Sequence, residues 1–390
     1  MISINKQTRV LLVDTLSATN DYGVELALAL SMRVSLTVFT IETSPLSSVP
    51  GLTVISRFPR YGGGRSRLLK SISAVRGTLS LLDALWQHRR DVIHVQFMRF
   101  PRLELPLYWL LRPWLRCLII TVHNFLPHEA QAWHRRAYAR WYGMANRVHV
   151  LSKHIGRQLT EEMAIPESRI DVIPHGNYGG FMRRNADACD IQGFGGNELL
   201  DPQTVVISFF GLIRPYKGVI QLARAFATLS THNIYLIVAG KIEKSAEHEM
   251  AEVAQILSGN SRARIIARFL TEHELAALLT CSDIIVFPYT EISQSGALML
   301  AMTYGKAVIA NDIEGFREYI RNGDTGLLCD TQDPSVFARQ LAHLVVNAAE
   351  RKRLGESAKL EMDTAYNWDT IAKALVNCYR LSLGKTQVDE

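Results

Sequence analysis

The stretch VVISFFGLIRPYKG, residues 205–218, decides how the rest of the chain is read. Its apolar run at 205–210 predicts a buried strand. The run breaks at Gly211 into a short turn carrying Arg214 and Lys217, and Gly218 opens a helical pattern. A strand that ends in a glycine turn beside a helix start suits an anion. Backbone N–H groups and the positive end of the helix dipole face the ligand, and two cations can close over it. Alone, the same letters also describe an ordinary strand-to-helix connection with basic residues on the surface.

A second element of this kind lies at 284–310, IIVFPYTEISQSGALMLAMTYGKAVIA. A buried strand ends at Pro288, a polar loop follows through Gln294, and Ser295-Gly296 starts an apolar helix that stops at Tyr304-Gly305. Small residues at a helix start let backbone amides come close to a phosphate. Glu291 repels a phosphate but suits the hydroxyls of a ribose or sugar. Two anion-accepting turns at strand ends of one domain point to a diphosphate, and hence to a nucleotide. There is no Gly-x-x-x-x-Gly-Lys-Ser/Thr loop and no Gly-x-Gly-x-x-Gly after the first strand, which argues against a P-loop or an NAD site. No acidic pair at metal-ligand spacing stands out, so neither a metal nor another cofactor is expected.

Around these elements, short apolar runs alternate with helical patterns. Strands are expected at 10–13, 35–40, 52–55, 92–96, 117–122, 147–151 and 170–173, and again at 205–210, 234–239, 263–266, 284–287 and 307–310. Helical patterns at 23–32, 73–87, 219–229, 247–258 and 272–280 separate many of them. Val-, Ile- and Phe-rich strands followed by helices signal parallel, doubly wound sheets. The pattern restarts after a loop-rich break at 176–203, and 390 residues exceed one core of ordinary size. The expected fold is therefore α/β, with two doubly wound Rossmann-like domains facing across a cleft: 1–180, a linker at 181–203, and 204–366.

Composition sets the class. Hydrophobic residues at 48% and charged residues at 21% exclude a disordered chain. The five cysteines are scattered singly and odd in number, which suggests reduced thiols in a cytoplasmic protein. The N-terminal letters enter a strand without a signal-peptide core. Residues 1–180 hold 22 Lys/Arg against 12 Asp/Glu, whereas the remainder holds 21 against 25. A basic half beside a mildly acidic one suggests that the first domain faces an anionic surface or substrate. Arg57, Arg60, Arg65, Arg67, Lys70 and Arg76 cluster around the glycines 62–64. The long apolar stretch 103–122 carries Arg112, Pro113 and Arg116 near its middle, which argues against a membrane-spanning helix. Two readings stay open for it: a core helix followed by a core strand, or an amphipathic segment touching a membrane surface.

On these residues the chain resembles the GT-B glycosyltransferases, and specifically glycosyltransferase family 4 of bacterial polysaccharide assembly. The segment FGLIRPYKG (210–218) is similar to the family's glycine turn, with Lys217 on the lysine that grips the donor diphosphate. The family arginine directly follows the first glycine, where this chain has Leu212, so Arg214 is the shifted candidate. IVAGK (237–241) resembles the family's strand-plus-glycine step at Gly240, and RFLTEHEL (268–275) the loop that reads the base, beside Phe269 and Leu270. Ser293, Gln294, Ser295 and Gly296 fall in the donor loop. The family carries two glutamates separated by seven residues, ahead of an Ala-Met pair; aligned on Ala301-Met302, this chain has Ile292 and Leu300 there. Glu291, one residue earlier, is the candidate replacement.

In the first half, NDYGVE (20–25) resembles the family's glycine loop at Gly23, and LIITVHNFLPHE (118–129) the strand ending in a histidine that touches the donor sugar, His123. VIPHG (172–176) resembles the junction motif, with His175 open to a turn role. Residues 367–390 resemble the closing helix that packs back across the first domain.

The resemblance implies transfer of a sugar from a nucleotide-diphosphate sugar to a glycan or lipid-linked acceptor, metal-independent and retaining. Lys217, Arg214 and the Ser295-Gly296 helix start would stabilise the departing diphosphate, His123 would contact the sugar, and Glu291 the sugar or ribose. An inverting reaction would need a base, for which Glu129 and Asp14 are the candidates. The expected location is cytoplasmic, with peripheral contact to an anionic membrane through the basic first domain, and no nucleic-acid partner. A nucleotide-sugar epimerase and a non-catalytic nucleotide-sugar-binding subunit of the same fold are the alternatives.

Overall fold

The computed structural model describes residues 8–15, 21–42, 44–58, 67–126, 132–188, 193–195, 201, 203–229, 233–292 and 294–384. Asn20, Arg60, Arg65, the glycines 62–64, the triplet Pro127, His128 and Glu129, and Ser293 lie outside the described residues. The chain divides into two compact units, Met1–Gly176 with Asn367–Glu390, and Asn177–Tyr366.

The first unit begins with β1 (Arg9–Asp14), α1 (Asp21–Ser31), β2 (Ser35–Ile41), β3 (Thr53–Phe58), α2 (Arg67–Gln87), β4 (Val92–Phe97) and α3 (Pro101–Leu111). It continues with β5 (Cys117–Val122), α4 (Ala132–Met144), β6 (Arg147–Val150), α5 (Lys153–Met163) and β7 (Ile170–Val172). Among the described residues the strands form one sheet in the order β3-β2-β1-β4-β5-β6-β7, every neighbouring pair parallel. Parallel strands need crossover helices, which cover both faces, so nearly every strand residue must be apolar. Alternation then sorts the side chains. Leu11, Val13, Ile93, Val95, Leu118 and Ile120 enter one core, and Val10, Leu12, Leu36, Val38, Val92 and Ile119 enter the other.

The second unit holds α6 (Gly179–Arg184), β8 (Val205–Phe210), α7 (Val219–Ala227), β9 (Ile234–Ala239), α8 (Glu247–Ile256), β10 (Ala263–Ile266) and α9 (Glu272–Cys281). It ends with β11 (Ile284–Phe287), α10 (Gly296–Thr303), β12 (Ala307–Asn311), α11 (Glu314–Arg317), β13 (Leu327–Cys329), α12 (Pro334–Val346) and α13 (Ala348–Thr364). Its sheet runs β10-β9-β8-β11-β12-β13, again parallel. Strand β13 escaped the sequence reading because three residues behind a turn carry too little periodicity. The chain returns to the first unit through α14 (Trp368–Ser382), started by Asn367, whose side chain accepts from Thr370 N at 2.8 Å. Trp368, Ile371, Leu375 and Tyr379 of α14 join the core that contains α1.

In each sheet the order reverses direction once, between β1 and β4 and between β8 and β11. Such reversal points open a crevice at the carboxyl ends of the strands, where ligands bind in folds of this kind.

Stretch 103–122 is a core helix followed by a core strand. Glu104, Leu105, Tyr108 and Leu111 of α3 are buried and β5 is wholly buried, while Leu103, Trp109 and Leu110 face outward. No helix among the described residues is long and apolar enough to cross a membrane.

Candidate functional site

In the second unit, the turns after β8, β9 and β11 are knitted together by their own backbone. Ile213 N donates to Lys241 O at 2.9 Å and Glu243 N to Ile213 O at 3.0 Å, which carries the β8–β9 pairing past the strand ends. Thr290 N donates to Tyr216 O at 2.8 Å, fastening the loop after β11 onto the turn after β8. This closeness explains two glycines. A Cβ on Gly240 would stand 1.8 Å from Gly211 O, and one on Gly218 would stand 2.1 Å from Pro288 O. Gly218 also has φ +64°, which a side chain disfavours.

Lys217 projects over the Tyr289 ring, its Nζ 5.0 Å from the centroid. Burial, reinforced by the Arg214 charge, lowers its ammonium to about 8. A cation held this way gains from any anion placed beside it. Arg214 is differently placed from the sequence expectation of a second open cation: Glu243 engages it, with Nη2–Oε1 and Nε–Oε2 both 2.9 Å. Glu243 lies in the turn after β9, so no local pattern around Arg214 announced it.

Ser295 caps α10, its hydroxyl accepting from Leu298 N at 3.2 Å. Gly296 opens the helix, and its missing side chain leaves room for the Tyr178 hydroxyl, 2.6 Å from where a Cβ would be. Gln294 Nε2 is buried without a hydrogen-bond partner among the described residues, a polar group facing inward at the same loop. Glu291 is exposed on that loop. Ile292 and Leu300, at the family's glutamate positions, are absorbed by packing: Leu300 is buried in the core and Ile292 packs against it. Phe269 is 63% exposed, its ring 5.5 Å from Lys241 Nζ, and Leu270 packs against the core. Arg268 is paired with Glu274 at 2.6 Å.

In the first unit, His123 follows β5 and is half-buried, stacked on Phe97 with ring centroids 3.8 Å apart. Tyr22, next to the buried Gly23 on α1, meets its edge at 5.1 Å. Burial, together with the neighbouring imidazoles of His149, His175 and His94, holds His123 well below the usual histidine range. It lines a cavity of about 210 Å³ with Gln96, Met98, Asn124, Tyr138 and Trp141. His175 is buried among Tyr22 and Trp368, at 4.7 and 5.9 Å between ring centroids, which makes it a packing residue of the first unit. Asp14 is buried at the end of β1.

Two features had no local sequence signal. Glu104 of α3 is fully buried and accepts from Arg99 N at 2.9 Å, Phe100 N at 2.6 Å and Thr15 Oγ1 at 3.3 Å. Burial nevertheless pushes its carboxyl up to about 7. The second is a chain of buried polar side chains behind His123: His94, Gln96, Thr121 and His149, none more than 5% exposed.

The family described as "Glycosyl transferase 4-like domain" matches residues 19–176, and that described as "Glycosyl transferases group 1" matches residues 196–361. A GDP-mannose:glycolipid 4-beta-D-mannosyltransferase of Xanthomonas campestris pv. campestris is 27% identical over 193 residues, 50% of this chain and 49% of that protein. The chain thus spans about half the length of the curated relatives it matches. Sucrose-phosphate synthase from Thermosynechococcus elongatus superposes with a TM-score of 0.72 at 17% identity, over 97% of this chain and 100% of that one. Anabaena HepE in complex with UDP and glucose superposes with a TM-score of 0.69 at 15% identity, over 95% of this chain and 98% of that one. Both likenesses establish the two-domain GT-B fold. With its two parallel sheets and both family matches in place, the chain belongs to the group 1, family 4-like glycosyltransferases.

Proposed function

We propose that this protein transfers a sugar from a nucleotide-diphosphate sugar to a glycan or lipid-linked acceptor, with retention and without a metal, in polysaccharide biosynthesis. The observation that carries the reading is Lys217 beside two interlocked turns at the β8/β11 reversal, where α10 begins. The Xanthomonas relative uses GDP-mannose, and HepE holds UDP and glucose, which supports a nucleotide sugar as the donor here.

The departing diphosphate gathers negative charge as the glycosidic bond breaks. Preorganised donors at that position stabilise the transition state more than the ground state. Lys217 supplies the cation, and the first amides of α10 supply the helix-terminal N–H groups. Arg214, already held by Glu243, steadies the turn and adds a weaker field. His123 is assigned to the sugar, Glu291 to sugar or ribose hydroxyls, and Phe269 with Leu270 to the base. In a retaining reaction of this class the leaving phosphate takes the acceptor's proton, so no separate base is invoked.

The acceptor is assigned to the first unit. Its outer helices expose Ile72, Val75 and Leu79 on α2 and Leu103, Trp109 and Leu110 on α3. Arg102 stands 5.4 Å over Trp133, and Arg136 and Arg140 lie beside Trp109 and Trp133. Aromatic and aliphatic side chains among arginines suit the headgroup region of an anionic bilayer, where a lipid-linked acceptor resides. Ile292 and Leu300 favour one rival, a non-catalytic subunit that binds the donor without turnover.

A thermal-shift screen of UDP-, GDP-, ADP- and dTDP-sugars tests the reading. One donor is expected to raise the melting temperature and to be consumed when acceptor lipid is added. Binding without consumption would select the subunit reading, free sugar without acceptor the epimerase, and no saturable stabilisation at millimolar levels would remove all three.

A further inference from the structure

The polar chain behind His123 fixes where that ring carries its proton. His149 Nε2 lies 2.8 Å from Ile173 O, a carbonyl that only accepts, so Nε2 bears the hydrogen. His149 is fully buried, and burial keeps the ring neutral near pH 7, which leaves Nδ1 as an acceptor. Thr121 Oγ1, 2.9 Å from that Nδ1, must donate to it. Its single proton being used, Thr121 can only accept from His94 Nε2 at 2.8 Å. His94 is therefore also protonated on Nε2, and its Nδ1 accepts from the Tyr379 hydroxyl of α14 at 2.6 Å.

The parity reaches Gln96 next. As placed, its carboxamide nitrogen lies 3.0 Å from His94 Nε2 and its oxygen 3.1 Å from His123 Nε2. A half-turn exchanges the ends without moving the group, so donor and acceptor roles are set by the neighbours. The end facing the His94 N–H must be the oxygen, which shares that one proton with Thr121 Oγ1, because an amide N–H there would oppose it. The amide nitrogen then donates to His123 Nε2. With the opposite orientation, Thr121 would face two bare ring nitrogens with one proton, and one contact would oppose lone pairs.

We infer that the tautomer of His123, protonated on Nδ1 and bare on Nε2, is dictated by the Ile173 carbonyl through His149, Thr121, His94 and Gln96. These four are positioning residues: they act on a ligand only through His123. No described residue hydrogen-bonds His123 Nδ1, so its N–H is a donor for an oxygen of the bound ligand, and that edge does not serve as a base. The functional meaning rests on the assignment of His123 to the donor sugar; the tautomer itself is a property of the unliganded protein.

The test is a two-bond correlation of ring nitrogens with ring protons in the full chain carrying ¹⁵N-histidine, near pH 7. The His123 signals are identified by their loss in His123→Gln. The expected pattern is a protonated Nδ1 and bare Nε2 for His123, and the reverse for His94 and His149. Gln96→Glu, read at a pH where its carboxylate is ionised and both oxygens only accept, should move the His123 proton to Nε2. A wild-type His123 bearing Nε2–H would overturn the relay, as would a folded Gln96→Glu with an ionised carboxylate in which the tautomer stays put. If Gln96→Glu does not fold, the wild-type spectrum decides alone. Failure of the donor screen would leave this spectrum unchanged, and failure of the relay would leave donor binding unchanged, so the two ideas fall separately.

Discussion

Lys217 offers the sharpest quantitative consequence of the proposed site. Its ammonium sits at about 8 against an ordinary 10.5, chiefly because it is buried, with Arg214 adding repulsion. A diphosphate bound beside it would replace the lost hydration and return the value toward normal. A full return of 2.5 pH units corresponds to about 3 kcal/mol of coupling between proton and ligand. The sign follows from protonation: below 8 the empty site already holds its proton, and above 8 binding must draw one from solution. Affinity for the nucleoside diphosphate of the preferred donor should therefore fall about tenfold between pH 7 and pH 9. At pH 8 about half a proton should be taken up per nucleotide, measurable by calorimetry in buffers of different ionisation enthalpy. Lys217→Met should bind more weakly and lose this component, while any titration of the base is common to both proteins and cancels. A pH profile identical in the two proteins would refute the placement of Lys217 on the diphosphate.

Other outcomes follow from the same geometry. Gly218→Ala puts a Cβ 2.1 Å from Pro288 O at φ +64°, so urea unfolding should show a loss of at least about 2 kcal/mol. The imidazoles of His149 and His175, lowered to about 4 from 6.5 mainly by burial, contribute stability that is complete above pH 6.5 and lost as pH falls toward 4, about 3 kcal/mol each. Unfolding midpoints that stay flat from pH 7 to 4.5 would contradict this. Vesicles rich in anionic lipid should retain the protein at low salt, and Trp109→Ala with Leu110→Ala should weaken retention several-fold; equal retention by neutral vesicles would count against the arginine contribution.

Much of the architecture was legible because it is local. The runs at 117–122, 205–210, 234–239 and 284–287 are strands over those same residues, since a parallel strand covered on both faces is largely apolar along its length. The helix starts were equally readable: Gly218 precedes α7 and Ser295-Gly296 begin α10, as small residues at such turns allow.

What only the tertiary structure decided lies in pairs brought together by strand register. Arg214 is claimed by Glu243 from the next turn along the sheet, so a cation that looked open in sequence is half-neutralised. Lys217 finds the ring of Tyr289, and His123 the ring of Phe97. The relay from Ile173 to His123 needs β4, β5, β6 and the far helix α14 in one register, with Tyr379 and His94 separated by 285 positions. Local periodicity says which face a residue occupies; it says nothing of which partner waits there. Proton positions, charges and reach depend on that partner.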